Sequence, residues 1–306
     1  MAQTYPPPAP SLADDALTIN RFLKEPTAVA RRLRTVGEQR LIGDILLPQR
    51  FTTESGSVQF ETGETIYSEK APEPVAPGSE YPLTPVGNGD VQMASTVKWG
   101  RDAEITDESI SRRKANPVET ALLKLANHQA KTIDSVALAA VASAVTQSST
   151  ASASWVSGTP NILRDVLKAV ANIRSLNEGF EPDVVVVDDL MLAHIMSDEK
   201  IAPLLPRESK DSPIFTGNMT VIAGLRFVAT PNLPTAGVAL VADTKQLGGM
   251  ADENLASPGY VAAGNFGQVK TMREDKSDMW RVRCRRTTVP IVLEPKAAWK
   301  ITGVAA

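Results

Sequence analysis

Asp188 and Asp189 stand directly after four consecutive valines, Val184 to Val187, in the stretch EPDVVVVDDLML that runs from Glu181 to Leu192. Such a valine run makes a strand buried on both faces, and ligands of open α/β sheets gather outside the carboxyl ends of strands. A phospho-accepting aspartate or a metal-binding acidic pair has this form. Either needs further acids and a lysine brought to the same pocket. The segment before the valines reads as a helix behind a serine-rich loop, with no acidic strand end to supply them. The competing reading is a packing strand whose aspartates mark the exit from the core and cap a helix beginning at about Leu190.

Other chemistry has less material still. The chain has no GxxxxGK[ST] or GxGxxG phosphate loop and no GxSxG elbow. Its two histidines, His128 and His194, have no evident triad partner and are too few for a histidine-based zinc site. Asp107 and Glu108 form a carboxylate pair of the kind that is usually solvated. Cys284 is the single cysteine, so an intrachain disulfide framework and a cysteine-rich metal site are excluded. In WRVRCRR it alternates with arginines and shares a strand face with Trp280 and Val282, which reads as a buried thiol rather than a nucleophile. No catalytic residue, cofactor or metal is expected.

The elements that would position any site lie in a chain of 306 residues, 42% hydrophobic and 22% charged, within the range of folded domains. A net charge of −3 argues against non-specific nucleic-acid binding by the whole surface, and 5% aromatics leave little for base-stacking platforms. No signal peptide is read at the N-terminus. The longest uncharged stretch, Ser135 to Leu163, has too short an apolar part to span a bilayer, so a soluble protein is expected.

Residues 1–16 carry Pro6, Pro7, Pro8 and Pro10 and read as an extended tail. Two short helices follow, the second bounded by Pro26 and Gly37. SVQFETGETIYS and VQMASTVKW alternate as strands around a proline- and glycine-rich segment, which predicts a long hairpin arm with little to bury by itself. Residues 51–97 hold seven acids and one base (Lys70), a net of −6. From Asn116 to about Thr146 apolar residues recur at helical spacing; Asn116 reads as the N-cap, Pro117 as the first helical residue, and the length as about 45 Å. Residues 148–160 read as a loop, Asn161 to Asn177 as an amphipathic helix, and Leu190 to Leu205 as a helix broken by prolines. Residues 206–218 read as a polar loop. Two more β segments precede an irregular, glycine-rich stretch at 244–266, and the end of the chain reads as two strands around a turn. The order is neither a regular βαβ array nor a repeat.

This order resembles the major capsid proteins of tailed bacteriophages with the Hong Kong 97-type fold, a fold shared with encapsulin nanocompartments. The carriers are RFTTESGSVQFETGETIYSEKAPEPVAPGSEYPL as the extended loop and VKWGRDAEITDESISRRKANPVETAL leading into a spine helix. PDVVVVDD and GLRFVATPNLPTAGVALVAD follow in an apical domain, and MWRVRCRRTTVPIVLEPKAAW in peripheral-domain strands. The likeness covers about residues 20–306 and looks closest to capsid proteins of actinobacterial phages. It implies an α+β fold with an N-terminal arm (1–50), an extended β-hairpin loop (51–99), a peripheral domain (100–157 and 265–306) carrying the spine helix at 116–146, and an apical domain (158–264).

The resemblance further implies a structural protein, not an enzyme, that self-assembles as hexamers and pentamers into an icosahedral virion shell around double-stranded DNA, in the host cytoplasm. Its partners would be other copies of itself, a portal, minor capsid or decoration proteins, and only indirectly the packaged DNA; no membrane is involved. Only about 50 residues precede the loop, so a separate scaffolding protein is expected. Lys70 is the one lysine between residues 51 and 97 and no asparagine follows Asn265, which argues against the Lys–Asn weld of some relatives. Residues 267–300 hold nine bases and four acids, a net of +5. On one strand Arg281, Arg283 and Arg285 share a face. They could receive the acidic loop of a neighbour through Glu61, Glu64, Glu69, Glu73 and Glu80, or pair within the subunit. The rival functions are an encapsulin-like cage and a phosphate-handling enzyme using Asp188 or Asp189.

Overall fold

The computed structural model describes residues 16–37, 41–85, 87, 89–157, 160–198, 200–201 and 221–305. The expected N-terminal tail up to residue 15 and the polar loop at 206–218 lie outside them.

Helices α1 (Ala16–Lys24) and α2 (Pro26–Gly37) are separated by Glu25, whose backbone amide bonds to the Phe22 carbonyl at 3.1 Å. A one-turn helix α3 (Gly43–Leu46) leads into strand β1 (Gln49–Thr53). Strands β2 (Ser57–Thr62) and β3 (Asp90–Ser95) pair antiparallel as a two-stranded ribbon of their own, from Ser57 opposite Ser95 to Thr62 opposite Asp90. The hairpin arm expected from the alternation is therefore present. Strand β4 (Val97–Thr106) returns the chain to the body, and α4 (Asp107–Arg113) turns it into α5 (Asn116–Ala144).

Helix α5 has 29 residues, about 44 Å at 1.5 Å per residue. Its buried stripe includes Val118, Leu122, Leu125, Ile133, Ala137 and Val141. Asn116 is not its N-cap. Ala115 holds that position with helical dihedrals and no side-chain cap bond, and its carbonyl accepts from Val118 and Glu119 at 3.1 Å. The cause is the entry path: α4 runs into α5 through Lys114 at φ 56°, leaving no extended residue for a side-chain cap.

Strand β5 (Ser148–Thr150) occupies the start of the segment expected to be a loop. Then come α6 (Ile162–Ser175), the valine strand β6 (Val184–Val187) and α7 (Asp189–Ser197). The last ends at Ser197, and the end of the helix expected to reach Leu205 lies outside the described residues. Strands β7 (Arg226–Ala229) and β8 (Val238–Ala242) precede α8 (Thr244–Leu247) and β9 (Gly248–Glu253). The chain closes with β10 (Val261–Ala262), β11 (Gln268–Glu274), β12 (Met279–Val292) and β13 (Ala298–Thr302).

Two sheets organise the core. The first runs β1-β9-β12-β11-β10, with β4 also on β12; the second runs β5-β13-β8-β6-β7. The glycine-rich stretch expected to be irregular thus supplies a central strand, β9, held between β1 and the carboxyl half of β12. Pairing crosses residue 265 in both directions, since β9 joins β12 while β13 joins β8. All four valines of β6 are buried, flanked by β7 and β8. Each such burial stabilises by roughly 1.5–3 kcal/mol, which makes this strand a packing element first.

Candidate functional site

The acids beside the valine strand serve the backbone. Asp188 is the N-cap of α7 and accepts the Asp189 amide at 2.9 Å. Asp183 accepts the Thr244 amide and hydroxyl at 2.9 and 2.7 Å, and Asp243 accepts the Glu181 amide at 2.8 Å. Among the described residues no group of three or more histidines, cysteines or acids is placed to hold a metal ion. Cys284 is buried, as its strand parity predicts; its Sγ lies 3.6 Å from the Phe266 carbonyl, and burial pushes the thiol up to about 12.

The charged surfaces are organised around β12. Its even-numbered residues Trp280, Val282 and Cys284 face the core, and Arg281, Arg283 and Arg285 take the other face. Each of these arginines is engaged within the chain. Arg283 makes a fork of two 2.7 Å bonds to Asp102 on the paired strand β4, and that contact holds the Asp102 carboxyl below the usual carboxylate range. Arg281 donates to Glu274 at 3.0 Å. Arg285 donates to Gln268 at 2.8 Å and stacks 3.6 Å from the centre of the Tyr260 ring.

Arg286 continues the inward-facing parity of Trp280, Val282 and Cys284, but as a cation. It lies on the core side with a side chain 2% exposed. Two bonds of 2.8 and 3.0 Å join it to Asp252 on β9, and two of 3.3 Å to Asp44 on α3. Arg50 on β1 completes a ring, 2.9 Å from Asp44 and 3.6 Å from Asp252. Three stretches far apart in the chain, α3–β1, β9 and β12, are tied together by these charges. Strand parity alone would have marked Arg286 as an inward-facing cation in need of partners, a signal the charge tally of the strand conceals.

Asp134, on α5 beneath this ring, accepts the Gly43 amide at 2.8 Å and is 2% exposed. Burial raises its carboxyl to about 6 from 3.8; the Gly43 and Ile42 amides oppose the shift, the Asp44 carboxylate adds to it and Arg286 opposes it. A raised folded-state value means that the native protein holds the proton more tightly. This contribution to stability is therefore present below about pH 4 and lost as pH rises through 6. We predict that Asp134→Asn, which keeps the acceptor oxygen, flattens stability between pH 4.5 and 7.5 and gains about 1–2 kcal/mol at the upper end. Urea unfolding at the two pH values reads this; an unchanged pH slope would refute it.

Among the described residues the arm is fastened at its root. The Gly63 amide bonds to the Leu293 carbonyl at 3.2 Å, the Tyr67 hydroxyl to the Asn177 carbonyl at 2.5 Å, and Thr96 Oγ1 to Glu253 at 2.6 Å. A cleft of 650 Å³ separates residues 63–69 from Glu178, Phe180, Gln246 and Glu294. Burial raises the Glu294 carboxyl, opposed by the Glu64 backbone amide. Beyond this root the arm is solvent-facing. Among the described residues, seven of the thirteen exposed large apolar ones (Ile66, Tyr67, Tyr81, Leu83, Val91, Met93, Val97) lie on it. Such clustering marks a surface that awaits cover. Glu61, Glu64, Glu69, Glu73 and Glu80 are exposed there, and among the described residues none of them makes an ion pair within the chain.

The comparisons with known proteins agree with this architecture. No curated protein matches the chain. Among solved structures, the capsid of cyanophage P-SCSP1u matches with a TM-score of 0.60 and 14% identity, covering 85% of this chain and 87% of that one. A virus-like particle from Pyrococcus furiosus matches at 0.57 and 10%, covering 90% and 96%. A structure from Microbacterium phage Oxtober96 matches at 0.54 and 12%, covering 85% and 90%. At these identities the likeness is one of fold. A family model described as phage capsid protein matches residues 90–301, from the outer strand of the arm to the last strand of the second sheet, and on that match the chain belongs to the phage capsid proteins.

Proposed function

We propose that the chain is a major capsid protein whose copies assemble, as hexamers and pentamers, into the icosahedral virion shell that encloses double-stranded phage DNA. The observation that carries this beyond family membership is the arm. Among the described residues it exposes seven large apolar residues and acids that make no ion pair within the chain. A ribbon of two strands is marginal by itself, so a neighbouring subunit is the natural cover.

In this reading residues 51–99 are the extended loop, 100–157 and 265–306 the peripheral domain with α5 as its spine, and 158–264 the apical domain, with β9 and β13 exchanged between the sheets. The acidic loop of one copy meets basic surface on the next. A separate scaffolding protein directs closure in the host cytoplasm, and a portal and decoration proteins complete the shell. The protein has a structural role, and its contact with DNA is indirect.

Expression alone and with its scaffolding partner tests this. Closed shells of uniform size are expected by negative-stain microscopy. Particles from infected cells should carry nucleic acid, where a cargo cage would carry protein. Only monomers or open aggregates under all conditions would refute the shell reading, and nucleic-acid-free particles with protein cargo would favour the cage.

A further inference from the structure

Four glutamates meet where the arm leaves the body. Glu64 and Glu69 on the arm and Glu178 and Glu294 on the body line the 650 Å³ cleft. Glu178 is 11% exposed on its side chain, and its Oε1 accepts Lys296 Nζ at 2.7 Å. Its Oε2 and the Oε2 of Glu294 are both shut off from solvent and, among the described residues, neither has a hydrogen-bond partner. Both acids stand on pinned backbone. Glu178 sits between Asn177 at φ 58° and Gly179 at φ 78°, and the Leu293 and Glu294 amides bond to the Leu247 carbonyl at 2.9 and 3.3 Å. Fastenings of the arm fall on the same two places. The Gly63 amide bonds to Leu293, the Glu64 amide faces the Glu294 carboxylate, and the Tyr67 hydroxyl bonds to Asn177. The charge on Glu178 and Glu294 therefore acts directly on the residues that hold the arm.

We propose that this cleft is a proton-operated latch, closed on residues 63–69 when Glu294 carries a proton and loosened when Glu294 ionises. Closure buries the Glu294 carboxyl beside the Glu178 carboxylate, and both effects disfavour its charged form. Opening admits water and relieves both. The closed root thus holds the proton more tightly than the open one, and a ligand favours whichever state binds it better. In the closed root burial raises the Glu294 carboxyl above its ordinary value; the Glu64 amide opposes the rise, the Glu178 carboxylate adds to it, Lys296 opposes it and the Glu64 carboxylate adds to it. Glu69 lines the cleft as a further negative charge, and Tyr67 brings a hydroxyl already engaged by Asn177. The sign follows from the raised value: the latch contributes in full below about pH 4.5 and is lost as pH rises through the folded-state value. The latch is a property of one subunit and stands apart from the shell reading. Its effect is that the seating of the arm on its own body, not only the charge it carries, responds to pH.

A distance measurement on the full chain, as isolated subunits, tests the latch. Nitroxide labels on Ala71→Cys in the arm and Ala171→Cys on α6 occupy exposed positions, and Cys284, 1% exposed, stays unlabelled. Pulsed electron resonance should give one narrow distance at pH 4.5 and a second, longer population at pH 7.5. The ratio of loosened to seated arm should rise about tenfold between the two, the factor that a proton affinity raised tenfold in the closed state confers. Glu294→Gln keeps an oxygen for the Glu64 amide and removes the charge, so it should show the narrow distance at both pH values. Glu178→Gln removes the neighbouring like charge and should reduce the rise without abolishing it. Identical distances at the two pH values in the labelled parent would overturn the latch. So would a Glu294→Gln or Glu178→Gln chain that responds to pH as fully as the parent.

Discussion

Replacing Arg286 by leucine is expected to cost about 3–5 kcal/mol of subunit stability, the range for breaking a buried ion pair by removing one partner. The side chain is 2% exposed and bonds to both Asp44 and Asp252. Its loss leaves Asp44, itself 5% exposed on its side chain, with Arg50 as its single counter-ion. It also removes the cation that lowers the Asp134 carboxyl, so two buried acids face each other across α3 and α5. Asp134 escapes by taking up a proton. The deficit should therefore shrink on moving from pH 7.5 to 4.5. Adding Asp44→Leu to Arg286→Leu should recover part of the loss, because Arg50 and Asp252 can then pair alone and apolar groups fill the space. Denaturant unfolding of the two variants at both pH values separates the outcomes. If the second substitution simply adds its own cost, the ring does not hold these segments as a unit.

The same ring shows what the sequence discloses and what it withholds. Local signals were legible. The 3.6 period predicts α5, alternation predicts the arm, and the continuous valines predict a strand buried on both faces. Pro26 and Gly37 bound α2 as expected. Parity along WRVRCRR placed Cys284 in the core and Arg281, Arg283 and Arg285 on the opposite face. Long-range pairing was not legible. Arg286 meets Asp44 across 242 positions, and no local pattern names that partner. The arginine face left a neighbour's loop and pairing within the subunit both open, because strand periodicity says where a side chain points but not what waits there. Asp102 and Tyr260 were waiting. Among the described residues Arg101, Arg113 and Lys124, spread over a strand and two helices, make no ion pair. Helix starts failed for a related reason. Asn116 is a good cap only for a chain that arrives extended, and here it arrives from another helix.

The glycine-rich stretch is the clearest case of composition misread as irregularity, and it carries the second large effect. Gly248→Ala is expected to destabilise the subunit by more than about 4 kcal/mol. Gly248 has φ of +151°, a conformation that side chains rarely adopt and that costs roughly 1–3 kcal/mol when imposed on them. A Cβ there would also sit 2.1 Å from the Ile291 carbonyl oxygen, and backbone cannot step aside without breaking the β9–β12 register. At Gly249 a Cβ would meet the Gln49 carbonyl oxygen of β1 at 2.4 Å. The two glycines thus let one strand be gripped closely from both sides, by β12 and by the strand that leads into the arm. Gly179→Ala supplies the control. Its φ is +78°, and a Cβ there meets nothing within 4 Å, so strain acts without collision and the cost should stay near 1 kcal/mol. Paired melts of the two variants measure the difference. Equal small losses would mean that β9 tolerates displacement and that the junction between arm and sheet is softer than its packing implies. A large loss at Gly248 alone would place the rigidity of the arm's root in the backbone contact itself.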